Sequence, residues 1–304
     1  MLRYILSRFA QAVLVMFGVS LLIFYSLQLT GDPAAVMMPP GSSNVEIETF
    51  RHAMSFDRPL LWQYGHYMNS LLHGDLGLSL RYEQPVTDLI AQRVPATLLL
   101  AVSALAWSTL IGLLLGVISA VWRNSFWDLL ARLLAFSGQA VPVFWLGLLM
   151  ILYFSLHLRW LPSSGYGNFS HLIMPAISLG AYYMSAIARL VRASLIDVLA
   201  QDYIRTAQAK GLSSWRILIR HGLRNALIPV VTVQGMYFAS LLGGALVTEI
   251  IFAWPGIGRL AVQAIQNRDF PLVQAIVLLA ALVFVMMNLV IDLLYVVLNP
   301  RIRL

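Results

Sequence analysis

Side chains that could perform catalysis or hold a metal are sparse in this sequence, and they lack the spacing that such sites require. None of the six histidines is followed by glutamate, which excludes the H-E-x-x-H zinc motif. The chain has no cysteine, so thiolate ligands, disulfides and cysteine nucleophiles are excluded. The G-x-S-x-G motif of serine hydrolases is also absent. We therefore predict that the chain is not an enzyme and has no catalytic residue and no metal site.

Nucleotide and ion chemistry are only weakly represented. The single lysine, Lys210, follows Ala209, whereas a P-loop requires glycine before its lysine, so we expect no ATP or other cofactor on this chain. An acid inside an apolar segment could mark an ion pathway. Asp292 is the one acid well inside such a segment, near its inner end, where pairing with a basic residue explains it equally well. An ion-coupled secondary transporter or channel is therefore one alternative.

The elements that position these few polar groups are long apolar segments. The chain is 60% hydrophobic and only 11% charged, whereas soluble domains carry about 25% charged residues. Segments of about 20 residues match the roughly 30 Å thickness of the hydrocarbon core of a bilayer. Six such segments occur, at residues 9–31, 94–122, 133–158, 173–188, 225–248 and 271–298. This pattern predicts an all-α integral membrane protein with about six transmembrane helices.

The distribution of basic residues predicts the orientation. The first apolar segment is too long for a signal peptide and follows Arg3 and Arg8, so we expect a retained helix with a cytoplasmic N-terminus. With that orientation, thirteen basic residues fall on the cytoplasmic side: two before the first segment, two in the next short loop, seven at 189–224 and two near the C-terminus. Three fall in the short outer loops. Both termini are therefore expected in the cytoplasm, and the net charge of +7 reflects membrane topology rather than nucleic-acid binding.

Three regions follow from this orientation: residues 1–31 with the N-terminal tail and first span, an acidic region outside the membrane at 32–93, and a membrane core at 94–304 with a cytoplasmic loop at 197–229. The second region has helical spacing at 45–54 and 59–72. We expect its apolar stripe to pack against the membrane helices rather than form a lid; the stripe comprises Leu60, Leu61, Tyr64, Tyr67, Met68 and Leu71.

Small residues suggest close helix packing in the core. Gly112, Gly116 and Ala120 recur at four-residue spacing, which allows two helix backbones to approach closely. The partner could be another helix of this chain or a second membrane subunit.

The loop at 197–229 is the largest polar stretch of the core. Its first part, 197–210, predicts a helix that Gly211 ends, and Ser213 or Ser214 can cap a second helix that begins near Trp215. In that second helix arginine recurs every four residues, at 216, 220 and 224, as in helices that lie at lipid headgroups.

Two runs within this loop resemble the cytoplasmic coupling loop of ABC importer permeases of the dipeptide/oligopeptide/nickel family. They are YIRTAQAKGL at 203–212 and RHGLRNALIP at 220–229. The sequence departs from the general Glu-Ala-Ala pattern in having Arg205-Thr206-Ala207, and Pro229 lies further from Gly211 than in that pattern. The similarity extends along the chain in order, through FDRPL (56–60), HGDLGLS (73–79), PAT (95–97), EIIFAWPGIG (249–258), NRDFP (267–271) and NPRIR (299–303).

The resemblance implies a fold, partners and a location. The fold would be that of type I ABC importer permeases, in the bacterial inner membrane. The partners would be a second homologous permease, two ABC ATPase subunits that bind ATP and Mg, and a periplasmic solute-binding protein. The cargo would be a peptide or a similar small solute, with dipeptides, oligopeptides, glutathione and nickel or other metal chelates all open.

The resemblance also implies roles for two sets of residues. A coupling helix at 202–212 would contact the ATPase through Asp202, Tyr203, Arg205, Thr206, Ala207, Lys210, Gly211 and Leu212. A gate or docking face for the binding protein would include Glu249, Trp254, Pro255 and Gly256.

Overall fold

The computed structural model describes residues 2–29, 32–38 and 41–298, and within them the chain is helical apart from turns and one isolated antiparallel bridge between Leu78 and Pro85. The α-helices are α1 (Leu2–Leu29), α2 (Pro33–Met37), α3 (Asn44–Ala53), α4 (Leu60–Leu72), α5 (Val86–Val121), α6 (Phe126–Ala140), α7 (Val143–Met150), α8 (Phe169–Leu199), α9 (Asp202–Ala209), α10 (Ser214–Arg216), α11 (Arg224–Gly244), α12 (Leu246–Ile251), α13 (Ile257–Gln266) and α14 (Phe270–Leu298). Two π-helical segments, π1 (Ile151–His157) and π2 (Ile217–Leu223), continue α7 and α10.

Among the described residues, five helices are long and apolar enough to cross a membrane, and a bent pair makes a sixth span if it is counted as one. The five are Ser7–Ser26, Val86–Val121, Phe169–Leu199, Ser214–Gly243 and Phe270–Val290. The expected number of spans is thus matched, but the prediction of one continuous helix at 133–158 is wrong. Phe126–Ala140 and Val143–His157 meet at an angle of 104°. Pro142 explains the break, because proline disfavours helical geometry at the preceding residue, and Val141 is extended.

Several helices extend beyond their predicted apolar segments. The second span begins at Val86 rather than at residue 94, and Pro95 is therefore internal to α5. The fourth span reaches Leu199, so Arg189 and Arg192 belong to α8 and not to the polar loop. The single helix predicted over 197–210 is wrong for the same reason, because α8 ends and α9 begins separately. Charged residues end an apolar run in the sequence, but they do not end a helix.

The chain divides into two compact units. It passes from the first to the second between Pro95 and Ala96 and returns to the first between Pro255 and Gly256. The first unit contains the N-terminal part with Gly256–Leu289, and the second contains Ala96–Pro255 with the end of α14 from Val290. In the first unit, the start of α5 forms a buried core with α13 and α14. Its members are Val86, Leu89, Ile90, Leu260, Ala264, Leu272, Ala275 and Ile276.

Helix α4 packs on α1 through its aromatic residues, also within the first unit. The rings of Tyr64 and Tyr67 lie 5.3 and 5.8 Å from the ring of Phe24, measured between centroids. The Tyr64 hydroxyl hydrogen-bonds to Ser20 at 2.9 Å. Packing of the predicted stripe is therefore confirmed for Tyr64 and Tyr67. It is wrong for Leu60 and Leu61, which are exposed. The buried side chain of this first turn is instead Gln63, whose amide donates to the carbonyls of residues 56 and 58.

In the second unit, α8 packs very closely between α5 and α6. A methyl group added at any of four glycines would lie within 3.0 Å of atoms of the neighbouring helix. Gly112 and Gly116 of α5 face the segment 184–191 of α8, Gly180 of α8 faces the Ala104 carbonyl, and Gly138 of α6 faces the Ala181 carbonyl. Of the two explanations for the small-residue spacing, packing within the chain is confirmed for Gly112 and Gly116.

Candidate functional site

Helix α9 forms most of the predicted coupling segment, and it ends in a Schellman motif. The Gly211 N–H donates to the Gln208 carbonyl at 2.9 Å, and the Leu212 N–H donates to the Ala207 carbonyl at 3.3 Å. Gly211 has φ +77°, a left-handed conformation in which a side chain is strained. The predicted helix end at Gly211 is confirmed.

One face of α9 is buried against π2. Ile204 and Ala207, one turn apart, form a small core with Ile217, and Leu212 packs against its edge. Of the eight residues predicted to contact an ATPase, Ala207 therefore faces inward and Leu212 is half-buried. The other six are exposed: Asp202, Tyr203, Arg205, Thr206, Lys210 and Gly211. Ile204 is missing from the predicted set, although its apolar character and its spacing of three residues from Ala207 indicate a shared buried face.

Polar contacts also attach α9 to the start of α11. The Asn225 amide donates to the Tyr203 hydroxyl at 3.0 Å and to the His221 carbonyl at 3.0 Å. The ion pair between Arg205 and Asp202, at 3.4 Å, is exposed on both sides and contributes little to stability. The position of α9 is therefore fixed by its buried face and by Tyr203.

The arginines of the loop lie at the end of a span rather than on a separate surface helix. Segments α10, π2 and α11 are consecutive, and Ser214–Gly243 forms one candidate span. Arg216, Arg220 and Arg224 thus belong to the first turns of the fifth span. The surface-helix interpretation is wrong, because the helix continues from the basic turns directly into the apolar segment. Trp215, at the same end, is 72% exposed.

The second predicted set is mostly interior. Glu249 is fully buried and accepts a hydrogen bond from the Thr97 hydroxyl at 2.7 Å. Trp254 is also buried, and its indole N–H donates to the Ala96 carbonyl at 2.8 Å. Pro255 is half-buried, and Gly256 precedes the first residue of α13. Glu249 and Trp254 consequently hold the chain at 249–254 against α5 at Ala96 and Thr97. The role of this set at a gate or docking face stays a prediction.

Two pairs of the sequence motifs named above meet in space. Ala96 and Thr97 of the PAT motif contact Trp254 and Glu249 of the EIIFAWPGIG motif. In the first unit, Ser79 of the HGDLGLS motif donates to the buried carboxylate of Asp269 in the NRDFP motif. Asp269 also accepts from the backbone N–H of Arg81 at 3.4 Å. The motifs were recognised in the sequence, but their pairing was not, because the partners are about 150 to 190 residues apart.

Replacing Trp254 with phenylalanine should destabilise the second unit. The Ala96 carbonyl, which lies within α5, would lose the indole N–H, a hydrogen bond that contributes about 0.5–1.5 kcal/mol. The smaller ring would also leave part of a fully buried site unfilled. The measurement is the unfolding midpoint of the purified chain in detergent. Trp145→Phe is the matched control, because Trp145 is about half exposed on α7. Equal midpoints for the two variants would contradict this role of Trp254.

A buried carboxylate not identified from the sequence joins α5, α6 and α8. Asp128 is fully buried and accepts hydrogen bonds from the Ser119 hydroxyl and from the Asn124 N–H at 3.0 Å. It forms ion pairs with Arg132 at 3.0 Å and with Arg192 at 3.3 Å. The Ser119 hydroxyl also accepts from Arg192 at 2.8 Å. This network fixes the end of the second span to the fourth.

Comparison with known proteins decides the family. Residues 112–304 match the family model described as "Binding-protein-dependent transport system inner membrane component", and residues 1–101 match the model of the N-terminal part of such components. The chain belongs to this family. It is a permease of an ABC importer with the corresponding all-α membrane fold, and the alternative of an ion-coupled secondary transporter or channel is not supported.

Curated relatives match this permease over its whole length. The glutathione transport system permease protein GsiC of Escherichia coli strain K12 is 44% identical over 304 residues, covering 100% of this chain and 99% of the relative. The protein of the same name from Shigella dysenteriae serotype 1 is also 44% identical with the same coverage.

Solved structures support the fold of the permease. An amino acid ABC transporter crystallised with histidines matches with a TM-score of 0.53 and 16% identity, covering 68% of this chain and 93% of the other. The inward-facing MetNI methionine ABC transporter matches with a TM-score of 0.54 and 20% identity, covering 68% and 96%. At this identity the similarity concerns the fold alone.

Proposed function

We propose that this permease works with a second homologous permease, two ABC ATPase subunits that bind ATP and Mg, and a periplasmic binding protein, and that α9 is the element through which the ATPases act on it. The observation that carries the proposal is the two-sided character of α9. One face is anchored on π2 by Ile204 and Ala207, while the opposite face is exposed and polar. A short helix fixed to a span on one side and free on the other can transmit movement of a partner into the membrane.

The route of transmission runs through the buried face. Ile217 belongs both to the small core under α9 and to π2, which continues into the fifth span. A displacement of α9 caused by closure of the ATPases must therefore move the start of that span. Alternation between inward-facing and outward-facing packings of the helices would follow. The orientation inferred from the basic residues, with both termini and α9 in the cytoplasm, is part of the proposal.

Site-specific crosslinking tests the contact with the ATPase. The chain contains no cysteine, so each single-cysteine variant carries one attachment site for a photoreactive maleimide. Thr206→Cys and Lys210→Cys place the probe on the exposed face of α9 and should crosslink to the ATPase in the assembled transporter. Ala207→Cys is the matched control, because this residue is on the same helix but buried.

The opposite side of the membrane provides the second control. Val45→Cys, on the exposed surface of α3 in the acidic first region, should crosslink to the binding protein and not to the ATPase. Crosslinking of Thr206→Cys and Ala207→Cys to the ATPase with equal yield, or of Val45→Cys to the ATPase, would refute the proposed arrangement. On this proposal the acidic region at 32–93 meets the binding protein, while Glu249 and Trp254 act from the interior by holding the loop at 252–256.

We infer that the cargo is glutathione or a similar short peptide, because relatives 44% identical over the full length are named glutathione permeases. Dipeptides, longer oligopeptides and nickel or other metal chelates are the other cargoes carried by similar permeases. Uptake of each labelled compound should be compared in cells with and without the complete transporter. Loss of glutathione uptake on deletion of this chain is the expected result, and loss of nickel uptake alone would reassign the cargo.

A further inference from the structure

A cavity of about 400 Å³ lies between α5, α6 and α8 in the second unit. Most of its wall is apolar and includes Leu115, Ala135, Phe136 and Ala188. Three arginines, Arg132, Arg189 and Arg192, also line it. The combination of an apolar wall with several guanidinium groups is unusual for a packing defect, since empty internal cavities are apolar.

Within the described part of the chain, the arginines carry more positive charge than nearby carboxylates neutralise. Asp128 is the carboxylate that pairs with them there, and it forms ion pairs with Arg132 and Arg192. Arg189 is exposed and donates to the uncharged hydroxyl of Ser185 at 2.8 Å. Three positive charges therefore meet one negative charge, which leaves an excess of two. Arg189 lies one helical turn from Arg192 on the same side of α8, so both guanidinium groups can reach one anion.

The surroundings place the cavity near the membrane surface. Ser119, which also lines it, is two residues before the end of α5. The connection to α6 begins with Trp122 and Arg123, and α6 starts with Phe126 and Trp127. The three aromatic side chains are more than half exposed. Exposed aromatic residues next to arginine are typical of the membrane–water interface.

The composition of the wall favours an anion that is itself amphipathic. Arginine binds phosphate oxygens through paired N–H donors, and basic pockets between membrane helices bind anionic headgroups. A free inorganic phosphate would occupy a small part of a space that could hold roughly a dozen water molecules, and it would leave the apolar wall wet. We propose that the cavity binds an anionic phospholipid of the surrounding bilayer, with its phosphate at Arg189 and Arg192 and an acyl chain along Phe136 and Leu115.

Native mass spectrometry of the purified full-length chain tests this proposal, with phosphatidylglycerol and phosphatidylcholine of identical acyl chains as probes. The native chain should retain phosphatidylglycerol more strongly than phosphatidylcholine. Arg189→Gln should weaken retention of phosphatidylglycerol by about fivefold, since one basic residue contributes about 1 kcal/mol to binding an anionic lipid. Arg189 is the residue to change, because it does not touch Asp128 and its replacement leaves the buried ion pairs intact.

Two further variants separate the site from general effects of charge. Arg123→Gln removes a positive charge at the same interface but outside the cavity, and it should leave retention unchanged. Ala193→Phe fills the cavity from an exposed position and should reduce retention with all arginines present. Equal retention of the two lipids by the native chain, or equal loss in Arg189→Gln and Arg123→Gln, would overturn the proposal. Displacement of phosphatidylglycerol by millimolar inorganic phosphate or by glutathione would overturn it as well, and would identify a free-anion site or a cargo site.

Discussion

Replacing Gly211 with valine should reduce solute uptake about tenfold or more while the chain still inserts and the assembled complex still hydrolyses ATP. Gly211 has φ +77°, and a left-handed conformation costs a residue with a side chain about 1–2 kcal/mol, more if it is β-branched. The buried face of α9 rests on only a few side chains, so the turn would rearrange and displace the exposed face. Uptake and ATP hydrolysis should be measured on the same reconstituted preparation.

Asparagine at the same position is the matched control. It tolerates the left-handed conformation better than other residues with a side chain, and no atom lies within 4 Å of a Cβ placed at Gly211. Gly211→Asn should therefore keep most of the uptake, which would identify backbone strain rather than lost space as the cause. Normal uptake by Gly211→Val would contradict the coupling role of the α9 turn.

Asp128→Asn should cause the largest loss of stability. The change leaves Arg192, which is mostly buried, without its negative partner, and breaking a buried ion pair from one side costs about 3–5 kcal/mol. The measurement is the unfolding midpoint in detergent, together with the amount of chain found in the membrane.

Arg132→Gln removes the other partner of the same carboxylate and provides the comparison. The Arg132 guanidinium is 53% exposed and stays hydrated, and Asp128 keeps its pair with Arg192 in this variant. Its midpoint should therefore lie much closer to that of the native chain than the midpoint of Asp128→Asn. If Asp128→Asn were as stable as Arg132→Gln, the network would not be what fixes α5 to α8.

The features that could be predicted from the sequence depend on local composition. Apolar runs indicate the spans because the hydrocarbon core sets their length. Gly211 indicates the end of α9 because few other residues adopt its backbone conformation. The break at Val141 and Pro142 also has a local cause in Pro142, but the uninterrupted apolar run around it predicts one continuous helix.

The features that could not be predicted depend on distant residues or on small differences in backbone geometry. Asp128 and Arg192 are 64 residues apart, and neither has a neighbour in sequence that indicates the other. The resemblance predicts Trp254 at a gate or docking face, and its burial depends on a contact with Ala96, 158 residues away in sequence. Segment π2 differs from an α-helix by one residue per turn in its hydrogen bonding, for which its sequence contains no signal.

The close packing of α8 limits the ways in which this permease can move. Backbone carbonyls approach glycines closely where α8 meets α5, at Gly112, Gly116 and Gly180, and where it meets α6, at Gly138, so that none of these glycines has room for a side chain of its own. Sliding α8 along either neighbour would bring bulky residues to the positions of these glycines, where there is no room for them. Packed helices have only a few favourable arrangements. We therefore expect the three helices to shift together as a single body. Conformational change during transport is then expected at the boundaries of this body, where side chains rather than backbones meet.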